Sequence, residues 1–398
     1  MTDPLGQSQV LPYLRGLSEA GYNIHLISCD KKNLYELHHQ KIEKLAAAAN
    51  IKWYPVDYSE NPSIMGKISN LNKIEQLAFE IAKKENIDLA HCRSYMAGKV
   101  GMKLKKKLGI KFLFDMRGFW PDERVDGKVW NLSKAKDKLV YTYFKYQEKK
   151  LLKTADHIVS LTENGKKYLS EEFSQKVEKE KITVIPCCAD LKHFSRASIQ
   201  ENLVKSFKEK LNISDNDLII SYLGSLGTWY MVDEMLDFFK VLSSRRPEAK
   251  FLFITKDKKE EVMNFCKAKG IDENKIVITP AEREELPSLL SLSHVSLFFI
   301  LPMFSKRASS PTKMGEILSM EIPLIANRGV GDVDYIIEDT NCGYIVEKMT
   351  DNDYHLAIDN LEKTMAIQKS NLTKAAQKYY DLQAGTEKYS NIYHKLLS

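Results

Sequence analysis

Side chains that could bind a ligand gather in 306–316, on either side of a predicted helix start. Ser309 and Ser310 are residue types that cap helices, and Pro311 suits a first turn because a backbone N–H has no partner there. Apolar residues follow at helical spacing, and 322–326 is an apolar run typical of a buried parallel strand. A helix that precedes such a strand begins at the carboxyl-end edge of the sheet, where α/β proteins bind ligands.

The residues around this helix start favour an anionic ligand. Backbone N–H groups at a helix N-terminus attract anions, and Lys306, Arg307 and Lys313 add positive charge around them. Glu316 lies one turn beyond Thr312 and Lys313, where it could accept hydroxyl hydrogens of the same ligand. A nucleotide diphosphate suits this arrangement, with its pyrophosphate at the helix tip and its ribose at the carboxylate. The alternative is a capped surface helix with an ion pair between Lys313 and Glu316.

The same stretch resembles the donor-binding helix of family 4 retaining glycosyltransferases, which have the GT-B fold. The resemblance is carried by E-x-L-x-M-x-x-P from Glu316 to Pro323, by LIAN after it, and by the glycine-bearing turn 329–331. In that family the glutamate that matches Glu316 holds the nucleotide ribose. A second glutamate usually stands eight residues earlier, where this chain has Ala308, so the contacts to the sugar would differ.

A glycine turn at 224–230 is the other candidate for diphosphate binding. It lacks the G-K-[ST] of a nucleoside triphosphate P-loop and the full G-x-G-x-x-G of a dinucleotide site. Gly224 and Ser225 nevertheless allow the backbone to approach a diphosphate. The family commonly has an arginine in this turn and a lysine some residues on, whereas this chain has Ser225 and the pair Trp229–Tyr230. The cations left to neutralise a diphosphate are Lys256, Lys306, Arg307 and Lys313.

In the first half of the chain, Asp115 and Arg117 follow a predicted buried strand, where ligand groups are expected. They begin the sequence D-x-R-x-x-W-P, which resembles a loop in a subset of the same family. Many members have a histidine in this loop facing the sugar, and Asp115 and Arg117 stand nearest its place. The alternatives are an Asp–Arg pair that pins the loop, with Trp120 as packing, and a satisfied strand-end role for His91. Gly6 is expected in a polar loop at the start of the chain.

The residues and the resemblance together predict a site with three sets of side chains. The catalytic set is Asp115, Arg117 and Lys313. The donor-binding set is Gly224, Ser225, Lys256, Lys306, Arg307, Ser309, Ser310, Pro311, Thr312 and Glu316. The acceptor-side set is Gly6, Gln7, His91, Arg93 and Trp120. No metal or other cofactor is predicted, because Asp332 and Asp334 precede a helix and are interpreted as helix-capping residues rather than as a metal-binding D-x-D.

The composition is that of a globular protein, with 43% hydrophobic and 28% charged residues among 398. Such a length predicts two domains. No apolar run is long enough to span a bilayer, and no signal peptide is recognised at the start. Six cysteines without a CxxC pair favour a reduced, cytoplasmic chain.

Positive charge is concentrated in 101–150, which carries 14 Lys and Arg against 6 Asp and Glu. The basic patch 103–150 includes a helix with lysines and with the apolar residues Leu139, Tyr143 and Tyr146. We expect it to contact an anionic membrane surface, the alternative being a solvated face over a core-facing one. No nucleic-acid motif accompanies the patch, so no nucleic-acid partner is predicted.

Strands and helices alternate along the chain, which predicts parallel sheets with helices on both faces. The predicted strands are 23–29, 51–57, 87–92, 111–115, 157–161, 182–186, 218–223, 250–255, 276–279, 295–300, 323–326 and 343–346. The expected domains are Rossmann-like, 1–190 on the acceptor side and 191–377 for the nucleotide sugar, facing each other across a cleft. By the resemblance, a last helix at 378–398 packs back on the first domain, and the family's first strand is missing before Gly6.

The resemblance implies a retaining glycosyltransferase of hexosyltransferase type. It would move a sugar from a nucleotide-diphosphate sugar to a hydroxyl of a glycan or lipid-linked acceptor, in the cytoplasm or peripherally at the inner face of the membrane. One alternative is a sugar-nucleotide epimerase, which shares the fold and donor site. The other is a non-catalytic glycan- or lipid-binding paralogue, suggested by Ala308, the missing turn cations and the missing strand.

Overall fold

The chain forms two units, which we describe from a computed structural model of residues 1–58, 64–175 and 177–398, with the backbone alone at 64–68. The first unit is Met1–Cys187 together with Leu382–Ser398, and the second is Cys188–Asp381. All twelve predicted strands are present and pair in parallel. Buried parallel strands read as short apolar runs, and this property made them visible in the sequence.

In the residues that the structure describes, the first unit has six strands in two separate sheets. They are β1 (Ile24–Lys31), β2 (Ile51–Tyr58), β3 (Leu89–Arg93), β4 (Lys111–Asp115), β5 (His157–Ser160) and β6 (Ile182–Val184). β1 pairs with β2, and the other four form a sheet in the order β3-β4-β5-β6. The helices are α1 (Pro4–Gln9), α2 (Leu11–Glu19), α3 (Lys32–Ala48), α4 (Ile64–Lys84), α5 (Ser94–Leu108), α6 (Trp120–Asp126), α7 (Ala135–Thr154) and α8 (Glu163–Glu172).

A cavity of about 810 Å³ lies where the two sheets of the first unit approach each other. Residues 24–28 of β1 and 89–93 of β3 line it. In the described part of the chain β1 pairs only with β2, and β3 only with β4. The sheet of this unit is therefore divided at the cavity.

The first residues of the chain are anchored beside this cavity by Asp30. The Met1 ammonium lies 2.5 Å from Asp30 Oδ1, and the Thr2 backbone N–H and hydroxyl donate to the same oxygen at 2.8 Å. Burial alone would raise the pKa of Asp30, but these hydrogen bonds and that of Ser28 lower it. The predicted loop at Gly6 is wrong: Gly6 lies in α1, whose N-cap Asp3 accepts a hydrogen bond from its N–H.

The second unit has one six-stranded parallel sheet in the order β12-β11-β10-β7-β8-β9. Its strands are β7 (Leu218–Leu223), β8 (Ala249–Ile254), β9 (Ile276–Thr279), β10 (Val295–Phe298), β11 (Leu324–Asn327) and β12 (Gly343–Val346). Its helices are α9 (Glu201–Leu211), α10 (Val232–Arg245), α11 (Lys259–Lys269), α12 (Leu286–Leu290), α13 (Thr312–Ser319), α14 (Val333–Thr340), α15 (Asp351–Asp359), α16 (Leu361–Met365) and α17 (Lys369–Tyr380). The core of this unit is a continuous apolar cluster around these strands.

The last helix, α18 (Leu382–Leu397), belongs to the first unit. Its tyrosines reach the carboxyl ends of two strands there: Tyr389 donates to Asp115 at 3.0 Å, and the Tyr393 hydroxyl lies 2.8 Å from His91 Nδ1. α18 therefore completes polar contacts at that edge of the sheet. Among the helices that the structure describes, none combines the length and apolar character needed to cross a bilayer.

Close packing of α13 on α17 makes Gly315 a position where stability can be tested. A Cβ at Gly315 would lie 2.5 Å from Tyr380 Cβ, whereas one at Gly227 would have no atom within 4 Å. Alanine usually stabilises a helix relative to glycine, by about 0.5–1 kcal/mol. We predict the opposite for Gly315→Ala, a loss of about 1–3 kcal/mol from overpacking. Chemical unfolding of both alanine variants checks this, and a Gly315→Ala protein at least as stable as Gly227→Ala would contradict it.

Candidate functional site

The start of α13 lies beside the carboxyl ends of the strands of the second unit. A short 3₁₀ helix, Phe304–Ala308, precedes it, and the N-cap residue is Pro311, one position later than the predicted cap Ser310. Ser309 and Ser310 therefore lie before the N-cap position, and Pro311 itself makes no side-chain hydrogen bond to the first turn. The N-cap residue thus lacks the side-chain acceptor that Ser, Thr, Asp or Asn would supply there.

Lys313 is buried between aromatic rings in the first turn of α13. Its Nζ lies 3.7 Å from the centre of the Tyr230 ring, 4.3 Å from that of Tyr222, and 3.3 Å from the Tyr222 hydroxyl. Burial lowers the pKa of Lys313 to about 7, although the nearby Glu316 carboxylate acts in the opposite direction. Lys313 thus changes charge near neutral pH, unlike an exposed lysine.

Lys306 is held in the same way by the other aromatic residue of the glycine turn. Its Nζ lies 3.7 Å from the centre of the Trp229 ring, and the residue is 5% exposed. Trp229 and Tyr230 stand where the sequence resemblance led us to expect cations. Trp229 instead contacts Lys306 and Tyr230 contacts Lys313, so positive charge still lies beside the turn.

The backbone of the glycine turn passes close to Lys313. Gly224 has φ of 126°, and a Cβ there would lie 2.7 Å from Lys313 Nζ. Any other residue would be strained at this φ and would press on the ammonium group. Ser225 is exposed, and its carbonyl accepts a hydrogen bond from the Tyr222 hydroxyl at 2.5 Å. Sequence reasoning missed Tyr222, which looked like an ordinary buried strand residue.

Glu316 is buried one turn further along α13, and its ion partner is Arg283. The Arg283 Nη1 lies 3.7 Å from Glu316 Oε1, whereas an ion pair between Glu316 and Lys313 was the alternative from sequence. Burial raises the pKa of Glu316, and Arg283 and Lys313 oppose that shift. Arg283 was missed, although its place after β9, at a strand's carboxyl end, could have identified it.

Two predicted donor cations are exposed, unlike the buried Lys306 and Lys313. Lys256 is exposed and pairs with Glu282 at 2.7 Å, and Arg307 is exposed with its guanidinium 5.6 Å from the Phe304 ring centre. Lys306 and Lys313 are therefore the buried cations of the predicted donor-binding set. Thr312 is the first residue of the helix and is partly exposed.

A second polar cluster surrounds Asp115 at the end of β4 in the first unit. Asp115 is 1% exposed, accepts a hydrogen bond from Tyr389, and lies 3.5 Å from His91 Nε2. Burial would raise the pKa of Asp115, but Arg117, His91 and Arg93 lower it to about 2. The carboxylate is therefore charged throughout the neutral range.

Arg117 faces Asp115 without a direct hydrogen bond. Its Nη1 lies 3.8 Å from Asp115 Oδ1, and neither atom has a hydrogen-bond partner in the described structure. Arg117 has φ of 56°, and its Nη2 donates to Cys187 Sγ at 3.1 Å. A non-glycine residue in the left-handed region is uncommon and is often found at functional sites. Two buried polar atoms that face each other at this distance could receive a ligand hydroxyl or a water.

The other acceptor-side predictions differ in their surroundings. Arg93 donates to the Gln9 carbonyl at 2.7 Å and belongs to the Asp115 cluster by charge. Gln7 donates to the Thr2 carbonyl at 3.2 Å. Trp120 packs edge-on against Trp130 and Phe144, with ring centres 5.4 and 4.8 Å away. These contacts support the packing role that was the alternative for Trp120.

The chemistry available to each unit follows from these contacts. The second unit offers two lysines and a helix start for an anion, with a carboxylate one turn deeper for hydroxyl groups. The first unit offers a charged carboxylate flanked by arginines and a histidine. Asp334, one of the two residues of the D-x-D sequence, is 3.4 Å from Arg328 and so takes part in an ion pair.

Two family models match successive parts of the chain. The model described as Glycosyltransferase Family 4 matches residues 7–193, and the one described as Glycosyl transferases group 1 matches residues 204–379. A search of curated protein sequences finds no match.

Solved structures with the same fold cover nearly the whole chain. Sucrose-phosphate synthase (tll1590) from Thermosynechococcus elongatus has a TM-score of 0.72 at 15% identity, covering 96% of this chain and 91% of its own. A glycosyltransferase from Rickettsia africae ESF-5 has a TM-score of 0.68 at 19% identity, covering 99% and 97%. Anabaena Alr3699/HepE, solved in complex with UDP-glucose, has a TM-score of 0.69 at 12% identity, covering 99% and 97%.

At these identities the structural likeness establishes the fold, while the two family models account for the sequence on either side of the join between the units. The chain therefore belongs to the GT-B glycosyltransferases described by Glycosyltransferase Family 4 and Glycosyl transferases group 1.

Proposed function

We propose that this glycosyltransferase transfers a sugar, with retention of anomeric configuration, from a nucleotide-diphosphate sugar to a hydroxyl of a glycan or lipid-linked acceptor. The observation that carries the proposal is the placement of Lys313 and Glu316 on successive turns of α13. Lys306 and Arg283 stand beside them. A diphosphate next to two lysines, with its ribose next to a buried carboxylate, matches that order of charges.

The donor side of the proposal assigns one task to each group. Lys306, Lys313 and the first-turn N–H groups of α13 neutralise the diphosphate, and Gly224 lets the chain approach it. Glu316, oriented by Arg283, accepts the ribose hydroxyls. The complex of Anabaena Alr3699/HepE with UDP-glucose supports this class of donor for a protein of the same fold.

Transfer would occur on one face of the sugar. The acceptor oxygen forms a bond to the anomeric carbon as the bond from that carbon to the diphosphate oxygen breaks. The acceptor's proton passes to the departing diphosphate oxygen, so no separate base is needed. Negative charge grows on the diphosphate in this step, and Lys306 and Lys313 stabilise that charge where no metal is required.

The acceptor is assigned to the Asp115 cluster of the first unit. Asp115 is charged, Arg117 has an unpaired buried nitrogen, and His91 and Arg93 complete the group. Such a set can orient hydroxyl groups by accepting from them and donating to them. We place the reaction in the synthesis of a polysaccharide or glycolipid, in the cytoplasm at the inner face of the membrane.

Two alternatives make different demands. A sugar-nucleotide epimerase of this fold would convert the donor sugar with no second substrate. A non-catalytic paralogue would bind the donor weakly or not at all, and the buried Ala308 in place of a glutamate is the observation that favours it. Donor binding and product analysis separate these cases from transfer.

The role of Glu316 is tested by calorimetry against UDP, GDP and their sugars. With the nucleotide sugar that binds, Glu316→Ala should lose about 2–3 kcal/mol, or roughly 30- to 150-fold in affinity, because a charged hydrogen bond to ribose is removed. The control is Glu261→Ala, an exposed glutamate of α11. Near-normal donor affinity in Glu316→Ala would remove the residue from the site.

The lowered pKa of Lys313 predicts how donor affinity depends on pH. Below about pH 7 the Lys313 side chain is a charged ammonium that attracts the diphosphate. Above that pH the Lys313 amine of the free protein is neutral and must take up a proton when the donor binds. Affinity should fall above pH 7, by at most about tenfold per unit. Lys313→Met should bind weakly with a flatter profile, and exposed Lys256→Met should keep the slope. An unchanged slope in Lys313→Met would contradict the assignment.

Retention is tested on the product of transfer to a simple acceptor alcohol or glycan, with EDTA present because no divalent metal is expected to be required. Proton NMR of the new linkage should show the anomer of the donor sugar. Inversion would exclude the same-face mechanism. Activity that is lost in EDTA and restored by Mn²⁺ would contradict the role given to the lysines.

A further inference from the structure

The solvent-facing side of α7 carries large apolar side chains that are exposed. Leu139 is 72% exposed, Tyr143 43% and Tyr146 54%. They stand at helical spacing on one side, while Glu148, Leu151 and Leu152 form the buried side. From sequence alone, Leu139, Tyr143 and Tyr146 could equally have faced the core. The structure places them on the solvent side, where exposed apolar groups in a cluster mark an interaction surface.

Lysines share this side of the helix with the apolar residues. The exposed lysines of α7 are Lys136, Lys138, Lys149, Lys150 and Lys153. The helix has two acids against these five lysines: Glu148 is buried, and Asp137 is half-buried and accepts a hydrogen bond from the Asn131 N–H at 2.9 Å. The exposed side of α7 is therefore positive along its length, with apolar side chains near its middle.

Neighbouring segments extend the same character. The loop before α7 contributes Val129, which is 59% exposed, and Leu132. Lys99 of α5 donates to the Tyr143 hydroxyl at 2.9 Å, and the Lys150 ammonium lies 4.4 Å from the centre of the Tyr146 ring. These contacts hold an ammonium group beside each tyrosine. We call this surface the α7 face. It consists of the exposed lysines of α7 and of Val129, Leu132, Leu139, Tyr143 and Tyr146, all within the first unit.

We propose that the α7 face docks on a bilayer surface that carries anionic lipid headgroups. Tyrosines prefer the boundary between headgroups and acyl chains, leucine and valine can enter it shallowly, and lysine side chains extend to headgroup phosphates. Each lysine near an anionic surface adds to the attraction, and the lack of an exposed acid on α7 removes the opposing repulsion. The helix would lie along the surface over its length of about 30 Å.

The choice of a bilayer over another polyanion rests on the apolar residues. A soluble polyanion would use the lysines and leave Leu139 and Val129 in water. A bilayer gives both classes of side chain a favourable place, as in amphipathic helices that lie in the interface plane. The proposal extends the assignment of a lipid-linked acceptor, but membrane binding does not require that the chain transfers sugar.

The test is flotation of the full chain with vesicles of phosphatidylcholine containing 30% phosphatidylglycerol, and with pure phosphatidylcholine. We expect binding to the anionic vesicles only, weakened by salt because the attraction is screened. The variants Leu139→Ser with Tyr146→Ser, and Lys136→Glu with Lys149→Glu, should each lower the partition coefficient about tenfold or more. Donor calorimetry on the same variants should be unchanged, which separates this proposal from the function of the donor site.

Matched controls lie in the second unit. Tyr335→Ser with Leu356→Ser removes apolar residues of similar exposure, and Lys205→Glu with Lys210→Glu reverses exposed charges on α9. Both should bind vesicles as the parent does. The proposal is overturned if the parent does not bind anionic vesicles, if it binds neutral ones equally, or if the controls lose as much binding. Binding of a soluble polyanion such as polyphosphate without binding of vesicles would also overturn it.

Discussion

The burial of Lys313 among aromatic rings is the interaction on which the proposed donor site depends. An ammonium group leaves water at a cost, and here the rings of Tyr222 and Tyr230 and the Tyr222 hydroxyl compensate in part. The lowered pKa records the remainder of that cost. Such a lysine gains most from an anion that enters the site, because the Glu316 carboxylate offsets only part of the cost of its burial.

The glycine turn and the segment that leads into α13 pack against each other and form one site. Gly224 permits the close approach of the turn to Lys313, and Trp229 and Tyr230 provide the surfaces on which Lys306 and Lys313 rest. The sequence resemblance led us to expect cations within the turn, whereas the cations beside it are Lys306 and Lys313, which come from the segment 306–313. Glu316 and Arg283 continue the pattern one turn further, where the buried carboxylate is neutralised only at a distance of 3.7 Å. The cations near the turn are thus placed to bind an anion, as a donor-binding pocket requires.

Most of the fold could be predicted, because buried parallel strands leave apolar runs of distinctive length between helical patterns. The strand 276–279 was predicted with the bounds it has. A helix at 4–9 was missed although Asp3 and Pro4 are a local helix-start signal. Only the anchoring of Met1 by Asp30 depends on residues distant in sequence.

The candidate site was predictable only where its residues are close together in the sequence. α13 and Glu316 stand within a contiguous motif, whereas Arg283 and Tyr222 reach them from distant positions that sequence spacing does not join. Lys256, which directly follows a strand, was predicted to neutralise the diphosphate together with Lys313, but it is exposed and pairs with Glu282. Likewise, the sequence could not show whether Leu139 and Tyr146 face the core or the solvent, because helical periodicity defines a face but not what covers it. The structure shows that both are exposed.

A crystal structure of the full chain with the nucleotide-diphosphate sugar that binds it would test the central claim most directly. The account predicts that the diphosphate lies at the first turn of α13, within hydrogen-bond or ion-pair distance of Lys313 Nζ, with a ribose hydroxyl on the Glu316 carboxylate. A nucleotide bound elsewhere, with Lys313 still enclosed by Tyr222 and Tyr230 and Glu316 without a ribose contact, would contradict it.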